Sequence, residues 1–262
     1  AQVAVTSSVL NPRDDFEVNA KGTFEIMEKI RLSKSKPILF YSSTNKVYGE
    51  MSDISVIEEK TRYSYKKLKI GVSENQPLDF HSPYGCSKGV ADQYVRDYSR
   101  IYGLKTVVFR QSCIYGPRQF GVEDQGWVAW FVIALTLGKQ INIYGNGKQV
   151  RDLLEVSDLV RAYDLCLKNI KKTSGQIYNI GGGIKNTMSV WYEFQPLLEK
   201  LFGRKISARL SPWRPGDQPI FVSDNSKAKK DFCWVPKVSL ETGITNLYRW
   251  VTQNKSIFKN LP

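Results

Sequence analysis

Histidine is almost missing from this 262-residue chain: His81 is the only one. The four cysteines, Cys86, Cys113, Cys166 and Cys233, form no C-x-x-C pair. Zinc-ligand spacing is therefore lacking, and no metal site is expected. Four scattered thiols in a chain of this length fit a reduced, cytoplasmic setting better than a disulfide framework. No stretch approaches the roughly 20 apolar residues that a membrane span needs. The opening Ala1-Gln2-Val3-Ala4-Val5 carries neither a basic segment nor a cleavage pattern, so neither a signal peptide nor a membrane partner is expected. Internal repeats and low-complexity tracts are also lacking.

The composition that remains, 42 % apolar and 12 % aromatic, is that of an ordinary globular chain. Its length allows one sizeable core, or a nucleotide-binding domain with a small second lobe. The net charge of +13 points to an anionic partner. The lysines are spread along the chain, and no helix-turn-helix, RNA-recognition or zinc-finger pattern stands out. Nucleic acid is thus not expected as a partner, and much of the charge reads as a solvated basic surface.

Helical and strand-like segments alternate. Residues 15–34 read as a helix with apolar Phe16, Phe24, Ile26, Met27 and Ile30. Pro37 to Tyr41 reads as a short buried strand. Ser82 is a candidate N-cap for a helix from Pro83 to Tyr102, ended by Gly103. Thr106 to Phe109 is a second buried strand. Continuous apolar strands between helices imply a parallel sheet covered on both faces. Further on, Gln125 to Leu137 reads as an aromatic-rich helix, and Ile141 to Tyr144 and Gln149 to Leu154 as strands. Ser157 is the expected cap of a helix to Lys168. Gln176 to Ile180 reads as a strand, Ser189 as the start of a helix to Phe202, and Leu240 to Gln253 as the last helix. The segment around Trp213-Arg214-Pro215-Gly216-Asp217 reads as loop.

Two segments carry chemistry. In Tyr84-Gly85-Cys86-Ser87-Lys88, a tyrosine and a lysine four residues apart share a helical face. An ammonium beside a phenol favours the phenolate, giving a base usable near neutral pH. Such a pair also arises in helices by chance. The second segment is Tyr41-Ser42-Ser43-Thr44-Asn45-Lys46-Val47-Tyr48-Gly49, directly after a buried strand. Hydroxyl residues at that end of a parallel sheet sit where open α/β sheets bind ligands. The plain alternative is a serine-rich turn.

With both segments present, the chain resembles the extended short-chain dehydrogenases/reductases that act on nucleotide sugars. The resemblance runs over essentially the whole sequence. It includes Asn19-Ala20-Lys21-Gly22-Thr23, Tyr115-Gly116-Pro117, Gly147-Lys148-Gln149-Val150-Arg151-Asp152, Asn179-Ile180-Gly181-Gly182 and Arg214-Pro215-Gly216-Asp217. It implies an incomplete Rossmann-type doubly wound parallel sheet with a smaller α/β substrate-binding lobe. Residues 1–115 would be the C-terminal part of the NAD-binding domain. Residues 116–262 would be mainly the nucleotide-sugar lobe, with segments returning to the first domain.

The Gly-rich G-x-x-G-x-x-G loop of the family is not in this sequence, nor is the acidic residue that would hold the adenosine ribose. The resemblance places the start of the chain after the family's fourth strand, so a fragment is expected, with activity belonging to the complete protein. It further implies Thr44, Tyr84 and Lys88 as the catalytic triad and NAD as the bound cofactor. NAD would be held by Ala1, Gln2, Asn19, Ser42 and Ser112 together with Tyr84 and Lys88. The nucleotide sugar would meet Thr44, Cys113, Gln125, Gly126, Trp127, Arg151, Arg214 and Asp217.

Within the family the chain resembles the subfamily that inverts CDP-paratose to CDP-tyvelose at C2. The segments are Ser42-Ser43-Thr44-Asn45-Lys46-Val47-Tyr48-Gly49, Leu78 to Gly89, and Arg118-Gln119-Phe120 with Asp124-Gln125-Gly126-Trp127-Val128. A CDP-sugar is accordingly the expected partner, along with further copies of the chain in a homodimer or homotetramer. Three rival readings share the fold: a UDP-sugar 4-epimerase, a nucleotide-sugar 4,6-dehydratase, and a non-catalytic binding protein. Dehydratases of this kind carry an Asp-Glu pair where this chain has Asn45 and Lys46. Neither residue can serve as a carboxylic acid.

Overall fold

The computed structural model describes residues 1–214 and 216–258. Pro215 of the Arg214-to-Asp217 motif therefore lies outside the described residues. Helices α1 (Val5–Leu10) and α2 (Pro12–Asp15) lead into a π-helical turn, Phe16–Lys21, and then α3 (Gly22–Leu32). The single helix expected over 15–34 is thus broken. The wider π turn carries Asn19, which is buried and donates to the Gln2 carbonyl, Asp15 Oδ1 and Ser87 Oγ at 3.0, 3.2 and 3.3 Å.

Strand β1 (Leu39–Thr44) follows. It runs further than the sequence suggested and takes Ser42, Ser43 and Thr44 into the sheet. After the 3₁₀ turn Asn45–Tyr48, Gly49 holds φ 63°, and a Cβ there would lie 2.0 Å from the Asp79 carbonyl oxygen. A short antiparallel hairpin comes next, β2 (Val56–Glu58) and β3 (Tyr63–Tyr65). The long helix α4 (Ser82–Tyr102) starts with Ser82 Oγ accepting from Gly85 N–H at 3.2 Å and with Pro83 in its first turn. It ends at the left-handed Gly103, φ 65°.

Strand β4 (Thr106–Gln111) lies parallel between β1 and β8 (Ile177–Ile180), with Tyr41 beside Val108 and Val108 beside Ile177. Its residues from Thr106 to Arg110 are all buried, because both faces are covered. On one face, Val108, Tyr41 and Ile177 pack on Met27 and Ile30 of α3 and Ala91 and Val95 of α4. On the other, Val107, Phe109, Tyr178 and Ile180 pack on Leu159, Ala162 and Cys166 of α6 (Val156–Lys168) and on Phe232 of α9 (Ser226–Phe232). The structure is therefore a mixed α/β fold with a parallel sheet layered by helices on both sides.

A second cluster surrounds α5 (Trp127–Leu137), whose residues from Val128 to Leu135 are all buried, as a helix apolar all round demands. It packs on Phe194 and Leu198 of α8 (Phe194–Phe202) and on Ile244, Leu247 and Val251 of α10 (Leu240–Gln253). Strand β7 (Val150–Glu155) joins the clusters. It pairs parallel with β5 (Cys113–Tyr115) and β11 (Ile220–Phe221), and antiparallel with β9 (Thr187–Ser189). Strands β6 (Ile141–Tyr144) and β10 (Ala208–Ser211) form a separate parallel pair, and α7 (Ile170–Thr173) is a short turn before β8.

Asp152, in the middle of β7, is fully buried. It accepts from Ser112 Oγ, Ser223 Oγ, Gly183 N–H at 3.0 Å and Ser223 N–H at 3.1 Å.

Two expected caps are corrected. Helix α6 is capped by Glu155, whose carboxylate accepts from Ser157 N–H at 2.8 Å and also takes the Ser157 hydroxyl. Ser189 ends β9 instead of opening α8, and its hydroxyl accepts from Glu193 N–H at 2.9 Å.

Candidate active site

The C-terminal ends of β1 and β4 open into a cleft of about 430 Å³ that reaches across to α5, β6 and β7. Thr44, Tyr84, Ser112, Cys113, Gln125, Gly126, Trp127, Arg151, Arg214 and Asp217 all line it. Residues as far apart in sequence as Thr44 and Asp217 are gathered here because parallel strands present their carboxyl ends on one edge.

Thr44 ends β1; its Oγ1 accepts from the Lys46 N–H at 3.2 Å and donates over a long 3.4 Å contact to Asn45 Oδ1. Tyr84 stands in the first turn of α4, 9 % exposed. Its backbone N–H donates to Ser8 Oγ of α1 at 3.1 Å, fixing the start of the helix. Burial raises the phenol above its usual range, with the Thr44 hydroxyl beside it pulling the other way. Lys88 is one helical turn further on. Its Nζ donates to the Ser42 carbonyl at 2.5 Å and sits 4.4 Å over the Tyr41 ring. Burial pushes this ammonium down to about 8, against Asp92 and Asp15, which favour its charge.

These surroundings correct one sequence expectation. The Lys88 ammonium is turned toward β1, and burial governs both groups, so the chain by itself does not bring Tyr84 into the neutral range.

The expected cofactor residues are divided. Ser112 faces the cleft, with its hydroxyl given to Asp152. Lys88, Asn19, Gln2 and Ala1 lie behind or beside the Tyr84 wall, where the neighbouring Val3, Val5 and Thr6 line the cleft. Ser42 is exposed at the strand edge, 3.0 Å from the Tyr163 hydroxyl. Gln2 Oε1, Thr6 Oγ1 and Asn19 Oδ1 are buried on this side without hydrogen-bond partners. Gln119 Oε1, Trp127 Nε1 and Gln149 Oε1 are in the same condition on residues that line the cleft. Buried polar atoms left this way are costly unless a ligand or water meets them.

On the far wall, Arg151 is buried and donates to Asp217 Oδ1 at 2.5 Å. Arg214 donates to Asp124 Oδ1 at 2.6 Å and to the Glu123 carbonyl at 3.0 Å, and its guanidinium lies 3.8 Å from the centre of the Tyr144 ring. Cys113 lines the floor beside Arg151, and burial raises its thiol above the ordinary range.

The sequence analysis quoted Lys46, Gln119 and Gln149 within motifs but gave none of them a place in the site, and it did not single out Glu123 or Tyr144. The structure puts all five in the cleft. Gln119 and Gln149 stood inside quoted motifs and Lys46 inside the Thr44 segment, so all three positions were available. Nothing in the sequence alone distinguishes Glu123 or Tyr144 from surface residues.

The sequence profile of the GDP-mannose 4,6 dehydratase family matches residues 1–247. CDP-paratose 2-epimerase of Salmonella typhi is 45 % identical over 256 residues, covering 96 % of this chain and 75 % of that protein. Among solved structures, UDP-glucose 4-epimerase of Thermotoga maritima, determined with UDP-glucose, superposes with a TM-score of 0.81 at 31 % identity, covering 97 % of this chain and 75 % of that one. DesIV of Streptomyces venezuelae, a dTDP-glucose 4,6-dehydratase with NAD and TYD bound, gives 0.83 at 26 % identity, covering 100 % and 74 %. The chain belongs to the GDP-mannose 4,6 dehydratase family of extended short-chain dehydrogenases/reductases.

Proposed function

We propose that the protein is an NAD-dependent epimerase of nucleotide-diphosphate sugars, and that its substrate is a CDP-linked 3,6-dideoxyhexose inverted at C2. The observation that carries this reading is a Thr44–Tyr84 pair facing one cleft with the cations Lys46 and Arg151, in a chain 45 % identical to a CDP-paratose 2-epimerase. No carboxylate follows Thr44: Asn45 Nδ2 donates to Gln218 Oε1 and Lys46 Nζ to Gly216 O. That speaks against water elimination of the dehydratase kind.

The residues present fit NAD. Gln2, Thr6 and Asn19 offer unpartnered buried acceptors and hydroxyls along the wall that bears Tyr84 and Lys88. Bound there, NAD supplies the reversible oxidation of the reacting sugar carbon. Tyr84 Oη takes the proton of the sugar hydroxyl and returns it. Thr44 Oγ1 orients that hydroxyl. Lys88 Nζ would hold the ribose beside it. Trp127 and Phe131 help to exclude water from the lobe side.

Two outcomes test this reading. Denaturing the purified protein releases NAD or NADH in nearly stoichiometric amount, and turnover needs none added; an active preparation free of cofactor contradicts it. Assayed in parallel by NMR, CDP-paratose is inverted at C2 with roughly tenfold to hundredfold greater efficiency than UDP-galactose at C4. A pocket that hydrogen-bonds cytosine leaves polar groups unpaired against uracil. Greater efficiency on UDP-galactose leaves the family assignment and removes the substrate.

The exposed apolar residues Phe16, Ile26, Val90, Tyr94 and Ile101 on the π turn, α3 and α4 support a homodimer packed through these elements. The four cysteines are free, which supports a reducing, cytoplasmic setting. Among the described residues, no helix is long and apolar enough to cross a membrane.

A further inference from the structure

The charges of the cleft are not evenly distributed. At one end, Asp217 Oδ1 receives both Arg151 Nη2 at 2.5 Å and Lys46 Nζ at 3.4 Å, so two cations share one carboxylate. At the other end, Arg214 is set against two acids. It pairs with Asp124, while Glu123 accepts from Asn142 Nδ2 at 2.7 Å and from the Tyr144 hydroxyl at 3.0 Å. With Lys46 protonated, which burial opposes and Asp217 favours, the Lys46–Arg151 end carries one positive charge in excess, and the Arg214 end one negative. An anionic group belongs at the first end. At the second, the guanidinium stacked on Tyr144 offers a flat surface.

The Lys46 ammonium has three donors. One goes to the Gly216 carbonyl at 3.1 Å and one to Asp217, which leaves the third for the cleft. Lys46 also stands beside the reacting position. Its own backbone N–H holds Thr44 Oγ1 at 3.2 Å. The ammonium lines the same cleft as the threonine, which is of no obvious use where the reacting carbon is C4, across the ring from the diphosphate. Where the reacting carbon is C2, it is bonded directly to C1, which bears the phosphate. The anion then necessarily lies next to the hydroxyl being oxidised.

We propose that Lys46 binds the β-phosphoryl group of the nucleotide sugar and, with Arg151, fixes C2 as the carbon presented to Thr44 and Tyr84. Lys46 is then a specificity-determining residue: it seats the anion, and the anion places the carbon. The inference rests on the functional reading above and names the contact that selects C2. A charge-assisted contact to phosphate is lost on neutralisation.

The test compares CDP with CMP, which lacks the β-phosphate, by calorimetric titration of wild type, Lys46→Met and Lys46→Arg. Lys46→Met is expected to weaken CDP roughly tenfold to hundredfold and to leave CMP within about threefold, and Lys46→Arg to restore most of the CDP affinity. Circular dichroism checks the fold, and Lys46→Gln gives the same comparison if the methionine variant does not fold. A wild-type protein that shows this pattern but fails to invert C2 keeps the phosphate contact and loses the functional reading. CDP affinity unchanged in the neutral variants, or CDP and CMP weakened alike, overturns the inference even where C2 inversion is observed.

Discussion

Tyr84→Phe is expected to lower epimerisation by roughly a hundredfold to ten-thousandfold, the range associated with loss of a general base. The side chain is almost wholly buried against Thr44, and the ring stays in place when only the hydroxyl is removed. Folding and nucleotide affinity should therefore stay near wild type, and the loss should appear in kcat with little change in KM. Thermal melting and CDP titration run alongside the rate measurement separate this from a packing defect. Turnover near the wild-type rate would remove Tyr84 from the proton-transfer role.

The second large effect lies in the sheet that carries the site. Asp92 of α4 and Arg110 of β4 are 0 % and 3 % exposed and form a two-pronged pair at 2.9 Å on each arm. Arg110 also reaches the Tyr48 hydroxyl at 3.2 Å, which donates to Asn179 Oδ1 at 2.7 Å. Ser43 Oγ donates to Asp92 at 2.8 Å. Removing one partner leaves a buried charge without compensation, so Asp92→Ala is expected to cost about 3–5 kcal/mol in denaturant unfolding. The double variant Asp92→Leu with Arg110→Met, which buries no charge, should recover a substantial part of that. A loss below about 1 kcal/mol in the single variant would show that water reaches the guanidinium. The same variant bears on the site, because Asp92 favours the charged form of Lys88, one turn away.

Much of this arrangement was legible in the sequence where a pattern is local. The apolar run Trp127 to Leu137 had to be a buried helix, and the strand at Thr106 had to be covered on both faces. Tyr84 and Thr44 were found because helical spacing and a strand end each point to one place. What escaped depends on distant partners or on small differences in reach. The Glu155 carboxylate, rather than the Ser157 hydroxyl, caps α6, a choice between two acceptors within three residues. The hairpin of β2 and β3 packs Tyr65 against Ile220, far along the chain, and has no strong pattern of its own. Lys46 acquires meaning only when Gly216 and Asp217 fold back, 170 positions later. The electrostatics of Tyr84 and Lys88 were misjudged because pairing was visible in the sequence and the depth of burial was not.

The single carboxylate of Asp152 has a mechanical consequence. It fastens the junction after β4 at Ser112, the turn after β8 at Gly183, and the segment after β11 at Ser223 to the middle of β7. Four stretches of backbone bolted to one point cannot slide past one another, and Gly181 is pressed so close that a Cβ would lie 2.3 Å from the Asp152 oxygen. The floor of the cleft is therefore pinned together at one buried carboxylate.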